Sequence, residues 1–243
     1  MFGLFNTSNT ASPAGSIGQQ LQGIRHAVLG SEITAAPAAG QQEALFGCGC
    51  FWGAEKGFWR LPGVVTTAVG YAGGSIQDPS YDQVCSGRTG HAEVVRVVWD
   101  SAKLDFSDLL KLFWECHDPT QGDRQGNDRG SQYRSAIFVD DPSLLKLAEA
   151  SRLSYGTVLA ARGFAAISTE IASGRPLFYA EGHHQQYLAK PGSRPYCSAQ
   201  PSGLRLDDFP GANYRLPASV WSAYDWSVPH CVLRGDNSPI VLP

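Results

Sequence analysis

The chain has 243 residues, enough for one large domain or for two small ones. Hydrophobic residues make up 43% and charged residues 17%, which excludes an intrinsically disordered chain. The net charge is −3, and no apolar run reaches the length of a membrane-spanning helix. The sequence therefore predicts a soluble protein that binds neither nucleic acid nor a membrane.

The first 41 residues are rich in Ala, Ser, Gly and Gln and contain only two charged residues, Arg25 and Glu32. We expect them to form an irregular N-terminal extension. Residues 42–197 alternate between strand-like and helix-like segments, which indicates one domain. Residues 198–243 are dense in Pro, Ser and Gly and are predicted to form an irregular C-terminal tail.

The central domain is predicted to mix strands and helices. Strands are predicted at residues 45–49, 64–71, 92–99, 135–139 and 165–171. Helices are predicted at residues 51–61, 105–117, 142–163 and 179–188. Asp105, followed three residues later by Asp108, is typical of a helix N-cap. This order of elements lacks the strict repetition of a doubly wound sheet and predicts an α+β sandwich with a mixed or antiparallel sheet.

The cysteine content favours an intracellular protein with one or two redox-active thiols, and we expect it in the cytoplasm. Six cysteines, unevenly spread, are too few for a disulfide-stapled secreted domain of this size. They are Cys48, Cys50, Cys85, Cys116, Cys197 and Cys231.

Cys50 lies where a predicted strand gives way to a predicted helix. The unpaired N–H groups of a helix N-terminus favour a thiolate, so we expect Cys50 to have a lowered pKa and to act as a nucleophile. Phe51 and Trp52 place two aromatic faces beside the sulfur, which suits a small, partly apolar substrate group. The alternative is an inert buried cysteine in a turn. Gly49 and Gly53, on either side, and the consecutive aromatic residues favour the reactive interpretation.

Glu93 begins the predicted strand 92–99 and shares a face with that strand's alternate apolar residues. A carboxyl group on an apolar face is desolvated, so its pKa should rise and it could donate a proton near neutral pH. The alternative is a glutamate at the solvated end of the strand, paired with a nearby arginine.

Three other polar residues lie in or beside predicted loops. Tyr81 and Tyr133 could donate phenolic hydrogen bonds, or could be structural residues with one solvated end. Asp128 could equally be a turn residue. Cys116 falls on the apolar face of its predicted helix, and both Cys116 and Cys85 are assigned structural roles.

Two further cysteines leave more than one interpretation open. Cys197 lies in the irregular C-terminal region, where it could swing onto a sulfenic acid or be an inert surface thiol. Cys48 could form a strained local disulfide with Cys50 or bind a metal, and His183 with His184 is the one histidine cluster available for such a site.

Together, these segments resemble peptide methionine sulfoxide reductase A. The motifs that carry the resemblance are GCFWG at 49–53, GYAGG at 70–74, VCSG at 84–87, TGHAEVV at 89–95, GND at 126–128, QYRS at 132–135 and HQQYL at 184–188. The resemblance makes residues 42–197 the catalytic domain. It implies an α+β, ferredoxin-like two-layer sandwich with a mixed sheet. It also implies thiol-dependent reduction of the S epimer of methionine sulfoxide, free or in oxidised proteins, without a metal or organic cofactor.

The resemblance also implies roles for individual residues. Cys50 would attack the sulfoxide sulfur and become a sulfenic acid, while Glu93 would protonate the sulfoxide oxygen. Tyr81 and Tyr133 would hydrogen-bond that oxygen, and Asp128 would help to organise them.

The remaining roles concern the binding of the substrate and the regeneration of the Cys50 thiol. Phe51 and Trp52 would receive the substrate's methyl group. Cys197 would resolve the sulfenic acid to a disulfide that thioredoxin reduces. Family members often carry a second recycling cysteine shortly afterwards. Here Cys231 comes much later, and it either passes the disulfide outward or takes no part. We expect the protein to be a monomer.

Two other classes of function remain open from the sequence. One is a non-catalytic redox sensor or peptide-binding protein, against which Glu93 and the two tyrosines argue, because binding alone needs no acid. The other is a metal-binding module that uses Cys48, Cys50 and histidines.

Overall fold

A six-stranded mixed sheet forms the centre of the protein. The computed structural model describes residues 15–242, with the exception of the side chain of Cys231. The strands are β1 (Gln41–Cys48), β2 (Val64–Ala72), β3 (Ala92–Asp100), β4 (Arg124–Gln125), β5 (Asp128–Arg129), β6 (Ser135–Phe138), β7 (Glu170–Ala172) and β8 (Phe178–Tyr179). The order across the large sheet is β7-β6-β1-β3-β2-β8, and β4 pairs with β5 separately. Because β6 and β7 are parallel and the other neighbours antiparallel, the predicted α+β class with a mixed sheet is confirmed.

Helices pack against this sheet and against one another. They are α1 (Gly15–Gln20), α2 (Phe51–Trp59), α3 (Tyr81–Cys85), α4 (Phe106–Cys116), α5 (Pro142–Ala160) and α6 (Ala218–Trp221). The helix α2 packs on β2 and β3, and α4 packs on β1 and on α2. Within residues 15–242, none of the helices has both the length and the apolar character needed to cross a bilayer.

Local capping explains where the two long helices begin. The Asp105 carboxylate accepts the N–H of Ser107, and the Asp108 carboxylate accepts the N–H of Asp105, so α4 starts where the sequence predicts. Asp141 caps α5 in the same manner, with Pro142 at its first position.

Buried aromatic residues fix α2 and α4 against the sheet. Phe46 of β1 stacks on Phe58 of α2 with ring centroids 4.7 Å apart. Trp99 of β3 stacks on Phe106 of α4 at 5.7 Å. The first contact holds β1 against α2, and the junction between these two elements contains Cys50.

The prediction of a helix at residues 179–188 is wrong. Tyr179 instead belongs to β8, paired with Gly70 of β2, and Gln186 has a positive φ of 46° that a helix does not allow. The cause is a long-range contact, because the Gln185 side-chain amide bonds both the N–H and the carbonyl of Val69.

Two other predicted segments differ from the structure in their bounds or in their secondary structure. The strand predicted at 165–171 is shorter and later, at Glu170–Ala172. The predicted loop that carries Tyr81 contains α3, which a capping box between Ser80 and Gln83 starts.

The described part of the N-terminal segment packs on the sheet. It includes α1, within a stretch predicted to be irregular, while residues 1–14 lie outside the described residues. Ile33 is fully buried, and His26 Nε2 lies 2.9 Å from Thr67 Oγ1 of β2. The Arg96 guanidinium donates to the carbonyls of Ile33 and Ala35, which fastens this segment to β3.

The C-terminal tail has little regular structure beyond α6, yet it contributes to the core. Its buried apolar side chains are Leu206, Phe209, Leu216, Val220, Trp221, Tyr224, Trp226 and Val232. Backbone N–H groups of Arg215 and Leu216 donate to the buried Asp108 carboxylate, and Lys56 donates to the Gly235 carbonyl. The tail is therefore packed onto α2 and α4.

Replacing Trp221 with alanine should destabilise the protein. The side chain is 6% exposed, and truncation of a buried tryptophan typically costs about 3–5 kcal/mol of unfolding free energy. Val241→Ala is the control, because Val241 is 86% exposed and should change the free energy by less than about 0.5 kcal/mol. Urea denaturation measures both, and equal values would show that the tail does not belong to the cooperative core.

Candidate active site

Cys50 is the N-cap residue of α2, directly after β1. Gly49 turns the chain with a φ of +87°, and a Cβ there would lie 2.6 Å from the Gln125 side chain, so glycine is required. The Cys50 N–H donates to Ser198 Oγ at 3.3 Å. The thiol is buried, with 8% of the residue exposed.

Glu93 meets the same helix terminus from β3. Its Oε2 accepts the N–H of Phe51, the residue after Cys50, at 3.0 Å. Burial raises the pKa of Glu93 to about 8, and the Phe51 N–H only partly offsets this. Glu93 is 2% exposed, and Arg96 pairs with Glu43 at 2.7 Å, so Glu93 is neither at a solvated strand end nor paired with Arg96. The predicted rise in pKa is confirmed, and Glu93 holds a proton at neutral pH.

The predicted lowering of the Cys50 pKa is wrong. Burial raises the pKa of the thiol well above its ordinary value, and the charge of Glu93 raises it further. A hydrogen bond from the backbone N–H of Trp52 acts in the expected direction but is the smaller effect. Cys50 is therefore a neutral thiol in the free protein. When Glu93 is protonated, its negative charge no longer opposes the ionisation of Cys50.

The phenols of Tyr81 and Tyr133 lie within electrostatic reach of this acid, and the phenol of Tyr81 is hydrogen-bonded to Cys85. Tyr81 starts α3, and Tyr133 ends a 3-10 turn at Ser131–Tyr133. Burial raises the pKa of both, and the charge of Glu93 contributes to each. Both phenols are therefore protonated hydrogen-bond donors at neutral pH, beside a carboxyl group that is also protonated.

Asp128 lies in β5, and its Oδ1 accepts a hydrogen bond from the phenol of Tyr196. The charge of Asp128 also raises the pKa of Tyr133, after burial and Glu93. Tyr196 itself was not predicted, and it lies edge-on to the Trp52 ring at 6.2 Å. Asp128 thus contacts Tyr196 beside the Trp52 ring and lies within electrostatic reach of Tyr133.

The two aromatic residues after Cys50 differ in exposure. Trp52 is partly exposed and stacks on Tyr187 with centroids 3.8 Å apart. Phe51 is 1% exposed and packs behind it, against Tyr71 and His184. Trp52 can therefore touch a ligand directly, whereas Phe51 supports the wall.

Sequence reasoning missed two residues that position these groups. The Glu181 carboxylate accepts the phenol of Tyr71 at 3.0 Å and the N–H of Tyr81 at 2.9 Å, which fixes the start of α3. His184 Nδ1 accepts the Trp52 indole N–H at 3.2 Å, and burial lowers the pKa of His184 to about 4, so the ring is neutral. The HQQYL motif contains His184 and was the available signal.

Cys197 lies beside α2, where Gly53 makes room for it. A Cβ on Gly53 would lie 2.5 Å from the Cys197 sulfur. The charge of Cys197 also contributes to the raised pKa of Cys50, so the two thiols are within electrostatic reach. Cys197 is 5% exposed, so it is a buried thiol and not a surface one, and its resolving role stays a prediction. The side chain of Cys231 lies outside the described residues, and its recycling role stays a prediction.

A group of potential metal ligands lies behind the site. Among residues 15–242 with described side chains, Cys48, Cys116 and His117 bring their ligand atoms within 4.8 Å of one another. This group includes neither Cys50 nor His184. The described residues therefore give no geometric support to a module built on Cys48, Cys50 and the histidine pair.

Comparisons with known proteins identify the family of the chain. A family model described as peptide methionine sulfoxide reductase matches residues 42–209. The peptide methionine sulfoxide reductase MsrA of Rhodospirillum centenum is 57% identical over 165 residues, which cover 68% of this chain and 75% of that protein. The MsrA of Salinispora arenicola is 56% identical over 74% of this chain and 82% of its own length.

Solved structures also superpose on this chain. Methionine sulfoxide reductase A of Corynebacterium diphtheriae superposes with a TM-score of 0.66 and 44% identity, over 74% of this chain and 86% of that one. Reduced Mxr1 of Saccharomyces cerevisiae superposes with a TM-score of 0.60 and 30% identity, over 68% and 92% of the two chains. The chain belongs to the peptide methionine sulfoxide reductase A family and is an enzyme of that kind.

Proposed function

We propose that the protein reduces the S epimer of methionine sulfoxide, free or in oxidised proteins, with Cys50 as nucleophile and Glu93 as acid. The observation that carries this proposal is the hydrogen bond from the Phe51 N–H to Glu93 Oε2, at 3.0 Å. It places a buried acid, with a pKa of about 8, at the helix terminus that also holds the nucleophilic sulfur. A sulfoxide sulfur becomes electrophilic only when its oxygen is protonated, so the reaction needs both groups together.

The first step transfers oxygen to the enzyme. Glu93 donates its proton to the sulfoxide oxygen, and the phenols of Tyr81 and Tyr133 hydrogen-bond that oxygen as charge develops on it. The Cys50 sulfur attacks the substrate sulfur, an S–S bond forms, and the thiol proton passes to Glu93. The protonated oxygen then moves from the substrate sulfur to the Cys50 sulfur, as the S–O bond and the new S–S bond break. The products are methionine and a sulfenic acid on Cys50. Asp128 would help to organise the phenols, and Phe51 and Trp52 would form the pocket that receives the substrate's methyl group.

The second step regenerates the thiol. The Cys197 sulfur attacks the sulfenic sulfur of Cys50, a disulfide forms, and the hydroxyl leaves as water with the Cys197 proton. The position of Cys197 beside Gly53 of α2 supports this role. Thioredoxin is the proposed reductant of the disulfide, on the strength of the family resemblance.

Replacing Cys197 with serine should stop turnover after one cycle. The first step does not need Cys197, so each protein should form one methionine and keep a sulfenic acid on Cys50. Quenched-flow counting of methionine, with dimedone labelling and mass spectrometry, measures both. Normal multiple turnover with thioredoxin would show that another thiol resolves the intermediate.

A stereospecific assay tests the function as a whole. The full chain, with thioredoxin, thioredoxin reductase and NADPH, is given peptides that carry either the S or the R epimer of methionine sulfoxide. We expect NADPH oxidation with the S epimer and a background rate with the R epimer. Equal rates, or reduction of the R epimer alone, would overturn the proposal.

The proposal extends to the setting of the enzyme. The core order β6-β1-β3-β2, with α2 after β1 and α4 after β3, supports the ferredoxin-like description. The family model over residues 42–209 supports a catalytic domain at 42–197 with an extension on each side. We further propose a cytoplasmic monomer that works without a membrane, a metal or an organic cofactor.

A further inference from the structure

Two buried thiols lie behind the active site, and the mechanism above uses neither of them. Cys48 is the last residue of β1, and Cys116 is the last residue of α4. They are 2% and 6% exposed, and their sulfur atoms lie within 4.8 Å of each other. Cys116 also has its pKa raised first by a hydrogen bond to Cys48 and then by burial, so the two thiols are in direct contact.

Cys48 and Cys116 share a cavity with Cys197, the proposed resolving cysteine. Cys48, Cys116 and Cys197 line one cavity of about 10 Å³ between α2, α4 and the tail. The rest of its lining is apolar or glycine, including Leu112 and Val232. Burial raises the pKa of Cys197, and a backbone hydrogen bond lowers it in part. The next largest effect is the charge of Cys116, which raises the pKa of Cys197. Among the described side chains, none of those that line this cavity is charged.

A metal site does not explain this cluster. The third potential ligand, His117, has both ring nitrogens engaged: Nδ1 lies 2.7 Å from the carbonyl oxygen of Phe113, and Nε2 lies 2.8 Å from Ser135 Oγ. A carbonyl can only accept, so Nδ1 carries the hydrogen, and the lone pair on Nε2 is used by the serine hydroxyl. A zinc ion would need that lone pair and a fourth ligand.

We propose that Cys48 and Cys116 are a second, internal dithiol that reduces the Cys50–Cys197 disulfide through the shared cavity. This inference rests on the proposed function, because the disulfide it consumes is the product of that reaction. A disulfide needs an S–S distance of about 2 Å, so side-chain rotation into the cavity must close the remaining gap.

The exchange occurs in two balanced steps. The Cys116 sulfur attacks Cys197, a Cys116–Cys197 bond forms, the Cys50–Cys197 bond breaks, and Cys50 leaves with the proton that Cys116 gives up. The Cys48 sulfur then attacks Cys116, a Cys48–Cys116 bond forms, and Cys197 leaves as a thiol with the proton from Cys48. Two electrons have moved from the inner pair to the outer pair, and the active site is reduced again.

The relay changes the number of turnovers that a reduced protein completes without an external reductant. The first sulfoxide oxidises the outer pair, the relay moves that oxidation to the inner pair, and a second sulfoxide oxidises the outer pair once more. Each chain should therefore form two methionines. The second should form more slowly than the first, because burial disfavours the attacking thiolate.

The experiment counts methionine per chain. The full protein is reduced with dithiothreitol, freed of it without oxygen, and mixed with excess methionine S-sulfoxide peptide. We expect two methionines from the wild type, one from Cys116→Ala, and two from Val232→Ala, which alters the same cavity without removing a thiol. Cys48→Ala stops the exchange at the Cys116–Cys197 bond, so its freed Cys50 should form a second methionine and then remain a sulfenic acid. The single methionine from Cys116→Ala shows that this variant folds and that its active site works.

Three results would overturn the inference while leaving the proposed function intact. One is a single methionine from the wild type, and another is two from Cys116→Ala when Cys231→Ser gives one. The third is one equivalent of zinc retained by the reduced protein. No methionine from the wild type would instead overturn the proposed function. If a cysteine variant fails to fold, peptide mapping of the exhausted wild type decides: a Cys48–Cys116 disulfide is expected, and free Cys48 and Cys116 would contradict the relay.

Discussion

Replacing Cys50 with serine should reduce the rate of methionine sulfoxide reduction by about 10³-fold or more, as loss of a catalytic nucleophile generally does. Serine is close to isosteric, and its backbone N–H can keep the hydrogen bond to Ser198 Oγ, so the fold should not change. The hydroxyl is a far weaker nucleophile towards sulfur, and it cannot form a sulfenic acid. The measurements are kcat with thioredoxin and dimedone labelling after one addition of substrate.

The matched control is Cys48→Ala, two residues earlier in the chain. Cys48 faces the core beside Cys116, so with excess thioredoxin this variant should keep most of its steady-state activity. If Cys50→Ser retains activity and Cys48→Ala loses it, the nucleophile has been assigned to the wrong thiol.

Much of the sheet and one helix could be predicted because their signals are local. The N-cap of α4 depends on Asp105 and Asp108, which are three residues apart, and both bonds form as expected. The helix predicted at 179–188 failed because its decisive contact joins Gln185 to Val69, which are 116 residues apart. Local propensity is a weak guide where tertiary contacts set the backbone.

The sequence indicated where the proposed reactive groups lie, but it did not indicate the residues that position them. The family resemblance implied the roles of Cys50 and Glu93, and the structure places both residues at the start of α2. The Cys50 pKa was mispredicted because the helix terminus is only one influence, and burial with the charge of Glu93 outweighs it. Glu181 supports Tyr81 across 100 residues of sequence, a contact that no local pattern contains.

The packing of the tail had no periodic signal. Leu206, Trp221 and Val232 are separated by Pro, Ser and Gly, and the spacing fits neither a helix nor a strand. Their burial follows from the apolar surface that α2 and α4 leave uncovered, which becomes visible only once the fold is formed.

Replacing Glu93 with glutamine should lower kcat by about 10²–10⁴-fold, the usual contribution of a general acid. Glutamine has nearly the same shape, and its amide oxygen can accept the Phe51 N–H that Glu93 Oε2 accepts at 3.0 Å. The variant therefore removes the proton and keeps the geometry. A variant that retains kcat within a few-fold would show that another group protonates the sulfoxide oxygen.

The pH dependence distinguishes an acid from a positioning group. Glu93 has a pKa of about 8, so its protonated form dominates below that pH and is lost above it. The wild-type rate should fall as pH rises through about 8, and Glu93→Gln should lack this step. Rates must be compared at saturating reductant so that thiol chemistry in thioredoxin does not set the profile.

Glu93→Gln should lower activity but raise the free energy of unfolding at pH 8. The ordinary pKa of a glutamate is 4.5, so between pH 4.5 and about 8 the folded protein holds a proton on Glu93 that the unfolded chain has lost. When the folded state binds more protons, the free energy of unfolding decreases as pH rises. Glutamine removes this linkage, so Glu93→Gln should be more stable than the wild type at pH 8, and the difference should vanish near pH 4. Urea denaturation at the two pH values measures it, and a less stable variant at pH 8 would contradict a carboxyl group kept protonated for catalysis.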